Sequence, residues 1–321
     1  SRGIADFAGD FVRHGGRTLL IDQVFKQSDW SKELRKCYDL YPELRIVFTG
    51  SSVMRLKEEN PELNGIVKSY NLRGFSFREF INLQTGNSFK PYTLDEILRN
   101  HEHIIKQILP KVSPMKYFQD YLHHGFYPFF LENRNFTENL LKTMNMMTEV
   151  DILLIKQIEL KYLTKIKRLF YQLAVEGAKA PNVSQLAEEI NTSRATVMNY
   201  IKYLADARLI NMIYPNGQEF PKKPSKVMMH NSNLMYAIYP IQIDKQEVME
   251  TFFVNSLWKD HKISQTGKDH YFIVDGEKKF RICDAQSPNK VRNNPDIIYA
   301  RYNTEVGKDN RIPLWLLGFL Y

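Results

Sequence analysis

The sequence predicts an α/β fold that opens on part of a parallel sheet and continues through a helical region, a winged helix-turn-helix and a second, smaller α/β unit. Three observations lead there. Two short apolar runs, Leu19-Leu20-Ile21 and Arg45-Ile46-Val47-Phe48, stand one helix apart, and each hands over to polar residues, Asp22-Gln23 and Thr49-Gly50-Ser51-Ser52. Strands joined through a helix run parallel, so both polar ends fall on one edge of the sheet. Apolar residues then recur at helical spacing through residues 88–170, and a helix-turn-helix pattern with a two-stranded ribbon starts at Asn182. These shifts of pattern divide the chain into 1–85, 86–175, 176–245 and 246–321.

In the first unit an amphipathic helix stops at Gly15-Gly16, the Leu19 strand follows, a helix spans Asp29 to Tyr38, and the Arg45 strand closes the segment. A parallel sheet needs more than two strands to bury both faces, so further strands are expected before Ser1. No G-x-x-x-x-G-K-[ST] phosphate loop occurs in the sequence; His14-Gly15-Gly16-Arg17-Thr18 precedes a strand instead of a helix. The sequence therefore reads as the second half of a nucleotide-binding core.

The second unit places Leu94, Ile97, Leu98, Ile104, Ile105 and Ile108 on one helix before Pro110, then a helix at Tyr117 to Tyr121 and a long run from Asn139 to Leu173. Met144, Met146 and Met147 could form an apolar interaction face, though methionines on a helix are more often core filler. In the third unit Ser184 is the expected cap of a helix burying Leu186, Ala187 and Ile190. Asn191-Thr192-Ser193 forms the turn, and Ser193 caps a second helix burying Val197, Ile201 and Leu204. Strands Leu209 to Tyr214 and Ser225 to Met229 flank the tip Pro215-Asn216-Gly217. The outward residues Arg194, Thr196, Asn199, Lys202 and Tyr203 are candidates for DNA contact, and Lys222, Lys223 and Lys226 on the wing for phosphates. A lid or protein-docking role for the same module weighs about equally. In the fourth unit a helix from Glu247 to Trp258 precedes strands Tyr271 to Val274, Lys279 to Cys283 and Ile297 to Arg301, and an apolar C-terminus.

Composition narrows the function classes. With 321 residues, 43% hydrophobic and 25% charged, the chain has the balance of a soluble protein, and its longest apolar run, Leu314 to Leu320, is too short for the ~20 residues of a membrane span. No signal pattern opens the sequence, so cytoplasmic residence is the default expectation. Two cysteines far apart exclude a Cys-ligated metal cluster, and His101/His103 and His123/His124 lack the i, i+4 zinc spacing. A net charge of +8 permits a polyanionic partner but is spread along the chain.

The segments Leu19 to Lys26 (LLIDQVFK) and Ile46 to Ser52 (IVFTGSS) resemble the LFIDEIHK and IIFTGSS of bacterial and archaeal AAA ATPases that carry a winged helix and a restriction-nuclease-like C-terminal domain. The likeness continues through Leu72 to Phe80 (LRGFSFREF), Tyr121 to Phe130 (YLHHGFYPFF) and Ile312 to Tyr321. It implies a P-loop NTPase core of AAA type, a helical lid, ATP and Mg2+ as cofactors, and DNA or a protein partner met through the winged helix, with an oligomer open. It also implies roles: Asp22 holds Mg2+, Gln23 stands where the water-orienting carboxylate is expected, and Thr49, Ser51 and Ser52 contact phosphate or water. Gln23 cannot take a proton, so hydrolysis is expected to be weak or absent. The expected arginine pair is replaced by Leu63-Asn64-Gly65-Ile66-Val67, and Arg73 and Arg78 are not assigned as fingers. In the nuclease-like region Asp269 stands near the expected metal-binding Asp, Arg281 occupies the Glu position and Lys290 lies near the expected Lys, leaving Asp284 as the substitute carboxylate. A cation at that position opposes metal binding. The leading expectation is an AAA-type ATP-binding protein that couples nucleotide state to the winged helix. The competing one is a catalytically silent DNA-binding or scaffold protein on the same fold, and an active nuclease ranks last.

Overall fold

The computed structural model describes residues 3–51, 60–132, 135–265, 271–286 and 294–321. Helix α1 (Ile4–Arg13) leads through a turn, with Gly15 at φ +82°, into strand β1 (Thr18–Ile21); α2 (Trp30–Leu40) then crosses to β2 (Arg45–Phe48). The two strands pair parallel, with Thr18 opposite Arg45 and Ile21 opposite Phe48, as the helix between them requires. Both helices pack on the Leu19 side, where Ala5, Ala8, Leu19 and Cys37 form a small core, while Val24, Leu34 and Leu63 form another. Burial pushes the Cys37 thiol up to about 11, which makes it a packing residue and not a nucleophile. The opposite face remains open: Leu20 and Val47 are 73% and 56% exposed.

Helices α3 (Phe77–Thr85) and α4 (Leu94–Ile108) both start in capping boxes, Ser76 with Glu79 and Thr93 with Glu96. Then come α5 (Met115–Asp120), a wide π-type turn at Tyr121–Gly125, α6 (Phe136–Met146), a second wide turn at Met147–Ile152, the single turn α7 (Leu153–Ile155) and α8 (Leu163–Glu176). The run expected from Asn139 to Leu173 is thus divided. Gln157 takes a positive φ of 50°, which no helix interior accommodates. Among the described residues no helix is long and apolar enough to cross a membrane.

Helices α9 (Val183–Glu189) and α10 (Arg194–Asp206) are followed by β3 (Ile210–Ile213) and β4 (Lys226–Met229), an antiparallel ribbon. The cap of α9 is Asn182, whose side chain accepts from the Gln185 amide; the expected Ser184 lies two residues further on, already inside the helix. Ser193 does cap α10 by accepting from Thr196. Helices α11 (Ser232–Ile238) and α12 (Lys245–Leu257) lead into the last sheet, built from β5 (Ile263–Ser264), β6 (Phe272–Val274), β7 (Lys278–Asp284), β8 (Ile297–Tyr302) and β9 (Arg311–Pro313). These five lie in sequence order, with β7, β8 and β9 parallel.

The chain then turns back as a 3-10 segment, Leu314–Phe319, whose buried Phe319 packs against Phe77, Phe89 and the buried Trp315. One continuous apolar core therefore runs from Phe77 through α10 and α12 to Phe319. The architecture is mixed α/β, with a parallel sheet at the front and helices and small sheets behind.

Candidate functional site

The parallel register brings the C-terminal ends of β1 and β2 level, so Asp22 and Thr49 emerge side by side. Backbone bonds carry the pairing past the strands: the Thr49 N–H donates to the Ile21 carbonyl at 2.9 Å and the Val24 N–H to the Thr49 carbonyl at 3.0 Å. The Thr49 hydroxyl donates to Asp22 Oδ1 and accepts from the Gln23 N–H at 2.8 Å. Gln23 reaches that geometry at φ +51°, in the left-handed region. A non-glycine residue there costs about 1–2 kcal/mol, which the surrounding bonds must offset. Three sequence-predicted residues, Asp22, Gln23 and Thr49, are thus locked into one cluster, with Asp22 and Thr49 exposed to solvent.

Asp22 and Thr49 offer oxygen atoms of the hard type that Mg2+ takes, and one carboxylate suffices where phosphates and water complete the shell. Among the described residues no group of three or more His, Cys, Asp or Glu side chains is placed to hold a metal alone. The cluster therefore fits a magnesium ion delivered with phosphates and does not fit a protein-only metal cage.

Ser51 stands apart from this cluster. Its hydroxyl donates to Asp151 Oδ2 at 2.5 Å, a hundred residues away in the turn after α6. Burial pushes the Asp151 carboxyl above its ordinary value, against the pull of the Ser51 hydroxyl and Lys26. A raised carboxyl pKa means the folded state prefers the protonated form. This group therefore adds stability as pH falls through its folded pKa toward the unfolded value near 3.8, the reverse of an ion-paired aspartate. Ser51→Ala should lower unfolding stability at pH 7 by about 1–2 kcal/mol, because the partly buried carboxylate loses a donor. Asp151→Asn should shrink that loss, and a double-mutant cycle in urea is the measurement; additive effects would refute the contact. Ser52 lies outside the described residues.

Arg73 and Arg78 are both committed within the chain. Arg73 pairs with Asp260 at 2.5 Å and lies 4.3 Å from the Tyr321 ring centre; Arg78 donates to the Tyr321 and Phe89 carbonyls at 2.8 and 3.0 Å. Neither guanidinium is left over to reach a neighbour's phosphate. The Leu72 to Phe80 segment is a clamp on the Tyr321 end of the chain.

On the helix-turn-helix, Arg194 and Asn199 are exposed on α10, and Lys222 and Lys223 are exposed between β3 and β4. Lys202 departs from expectation. Its amine donates to Asp206 at 2.5 Å, one helical turn on, and it lines a cleft of about 490 Å³ with Arg208, Tyr214, His230 and Trp258 instead of standing on the open face. Lys226 likewise pairs with Glu250 at 2.8 Å, both side chains mostly covered.

In the last sheet Asp269 and Lys290 lie outside the described residues. Arg281 and Asp284 are both on β7, three residues apart, so their side chains leave opposite faces. Asp284 accepts from the Gln286 N–H at 2.8 Å and the Asn303 amide at 2.9 Å; burial alone raises its pKa, but these donors and nearby cations hold it below the ordinary value. It cannot replace a carboxylate on the Arg281 face.

Residues 3–81 match an AAA domain, and residues 115–245 match a Domain of unknown function (DUF8612). The uncharacterized protein MJ1637 of Methanocaldococcus jannaschii is 27% identical over 205 residues, which cover 62% of this chain and 43% of that protein. A second uncharacterized protein of the same organism, MJ1544, is 24% identical over 209 residues, covering 61% and 43%. The matched stretch thus spans less than half the length of either relative. No solved structure matches the chain. The AAA match takes in Asp22, Gln23, Thr49, Ser51 and Ser52, and an AAA domain implies nucleotide and Mg2+ use in general.

Proposed function

We propose that this chain is the sensing part of an AAA-type ATP-binding protein with weak or absent hydrolysis, linked to a winged-helix module that meets DNA or a protein partner. The organisation that goes with this reading is a core segment at 1–85, a helical lid at 86–175, the winged helix at 176–245 and a nuclease-like unit at 246–321. The observation that carries it is the interlocked Asp22, Gln23 and Thr49 at level ends of two parallel strands, inside the stretch similar to an AAA domain. Asp22 faces the magnesium of a bound nucleotide, Thr49 and Ser51 face phosphate or water, and Gln23 orients a water it cannot deprotonate. When bound, the metal neutralises phosphate charge.

Ser51 supplies the link outward. A phosphate competing for its hydroxyl weakens the bond to Asp151, and α8 and α10 both pack on the turn that carries Asp151. That gives nucleotide state a route to the helix presenting Arg194 and Asn199, with Lys222 and Lys223 on the ribbon beside it.

Calorimetric titration of the full-length protein with ATP and ADP tests the reading. Magnesium-dependent binding should be present, and Asp22→Ala should weaken it by about tenfold or more, roughly one lost charged contact of 1.4 kcal/mol or above. Absence of magnesium-dependent binding by the intact protein would sink the proposal and leave the second reading, a catalytically silent scaffold. Gln23, in place of a carboxylate, is the residue that favours that second reading.

A further inference from the structure

The C-terminal sheet has two unlike faces. On one, Phe280, Ile282, Ile298, Ala300 and Ile312 pack toward α12 and the core. The register assigns the other face row by row: Arg281 is level with Tyr299 and Arg311, and Cys283 is level with Arg301 and Pro313. Residues level across parallel strands share a face. Three guanidinium groups on three adjacent strands therefore emerge on the same side. Their effect on Cys283 agrees: burial raises the thiol's pKa, and Arg301, Arg281 and Arg311 each pull it back.

None of the three arginines pairs with a carboxylate among the described residues; the side-chain bond given to this group is from Arg301 to the Ala285 carbonyl at 2.8 Å. Asp284, the acid that acts on Cys283, points to the opposite face and is held by Gln286 and Asn303. Asp284 offsets part of the Arg301 charge, but Arg281 and Arg311 gathered on the same low-dielectric sheet raise each other's energy, and a polyanion relieves that cost. Strands ~4.8 Å apart place Arg281 and Arg311 about 10 Å from each other, the axial rise of about three nucleotides. Tyr299 lies level between them and is buried, so the arginines flank a covered centre of this face.

We infer that this arginine-bearing face of the C-terminal sheet, on which Arg311 is exposed and Arg281 and Arg301 are half-buried, binds the phosphodiester backbone of a nucleic acid, with these three residues as its phosphate contacts. The site does not depend on the nucleotide cluster or on the ribbon lysines.

The test is fluorescence anisotropy of the full-length protein with a labelled 30-base duplex and with the matching single strand, across a salt series. Arg281→Gln/Arg311→Gln should weaken binding by roughly tenfold and lower the duplex salt slope by about 1.8, that is ~0.9 for each lost phosphate contact. Arg281→Lys/Arg311→Lys should restore most of the affinity, which separates lost charge from lost folding. Lys222→Gln/Lys223→Gln reports separately on the ribbon, so its failure to matter bears on the winged-helix reading alone. An unchanged affinity and slope in the arginine-to-glutamine variant overturns the inference, as does wild-type protein that binds neither probe. Displacement of both probes by tripolyphosphate at equal total charge also overturns it, by marking a site for free polyphosphate.

Discussion

Gln23→Glu in the full-length protein should raise ATP hydrolysis by about 10²–10⁴-fold, the usual contribution of a well-placed general base. The substitution keeps the shape of the side chain and changes one property. A carboxamide holds a water by hydrogen bond, whereas a carboxylate also takes its proton. The root of the side chain is fixed before the change, because the Gln23 N–H is bonded to Thr49 at 2.8 Å and the backbone sits at φ +51°. The introduced carboxylate stands next to Asp22, and like-charge proximity raises its pKa toward the range where a base works best near neutral pH. Phosphate release measured with Asp22→Ala/Gln23→Glu as the blank decides the matter. Recovered turnover supports a disabled but intact site; binding of ATP with no gain in turnover favours the silent scaffold.

The strand ends were legible because their signal is local. Two apolar runs with a helix between them fix a parallel pair, and Asp22 and Thr49 follow from where each run stops. What could not be read is what depends on distant pairing. Ser51 looks like a phosphate contact from its strand end, yet its partner is Asp151, which no spacing rule connects to it. The bond between Lys202 and Asp206 was available to an i, i+4 reading, and it takes away a candidate DNA contact. Lys226 is occupied by Glu250 from a separate helix. The alternation of Lys279, Arg281 and Cys283 is visible in the sequence, but a charged row on one strand becomes a surface only once β8 and β9 are aligned beside it. Short edge strands such as β5 and β9, two and three residues long, carry too little pattern to be read at all.

Asn233→Ala should cost about 3–6 kcal/mol, and the reason lies in the YLHHGFYPFF segment. Its first five residues, Tyr121–Gly125, form a wide π-type turn, which leaves backbone groups without the partners an α-helix supplies. Asn233, 1% exposed at the start of α11, meets that need with one side chain. Its Oδ1 accepts from the Phe126 N–H at 2.9 Å, and its Nδ2 donates to the Tyr121 and Leu122 carbonyls at 3.1 and 2.9 Å. All three bonds are buried, so deleting the amide strands three backbone groups at about 1–3 kcal/mol each, partly recovered by local shifts. Gly125 adds a steric reason for the wide turn, since a Cβ there would stand 2.5 Å from the Tyr121 ring and 2.9 Å from that of Phe80. The segment is therefore a docking seat for α11, and a sequence motif that looks like an aromatic patch is a backbone-satisfaction device. Guanidinium unfolding of Asn233→Ala against wild type measures the cost. A loss under about 1 kcal/mol would mean that water reaches the turn, which the near-zero exposure of Leu122 and Asn233 argues against.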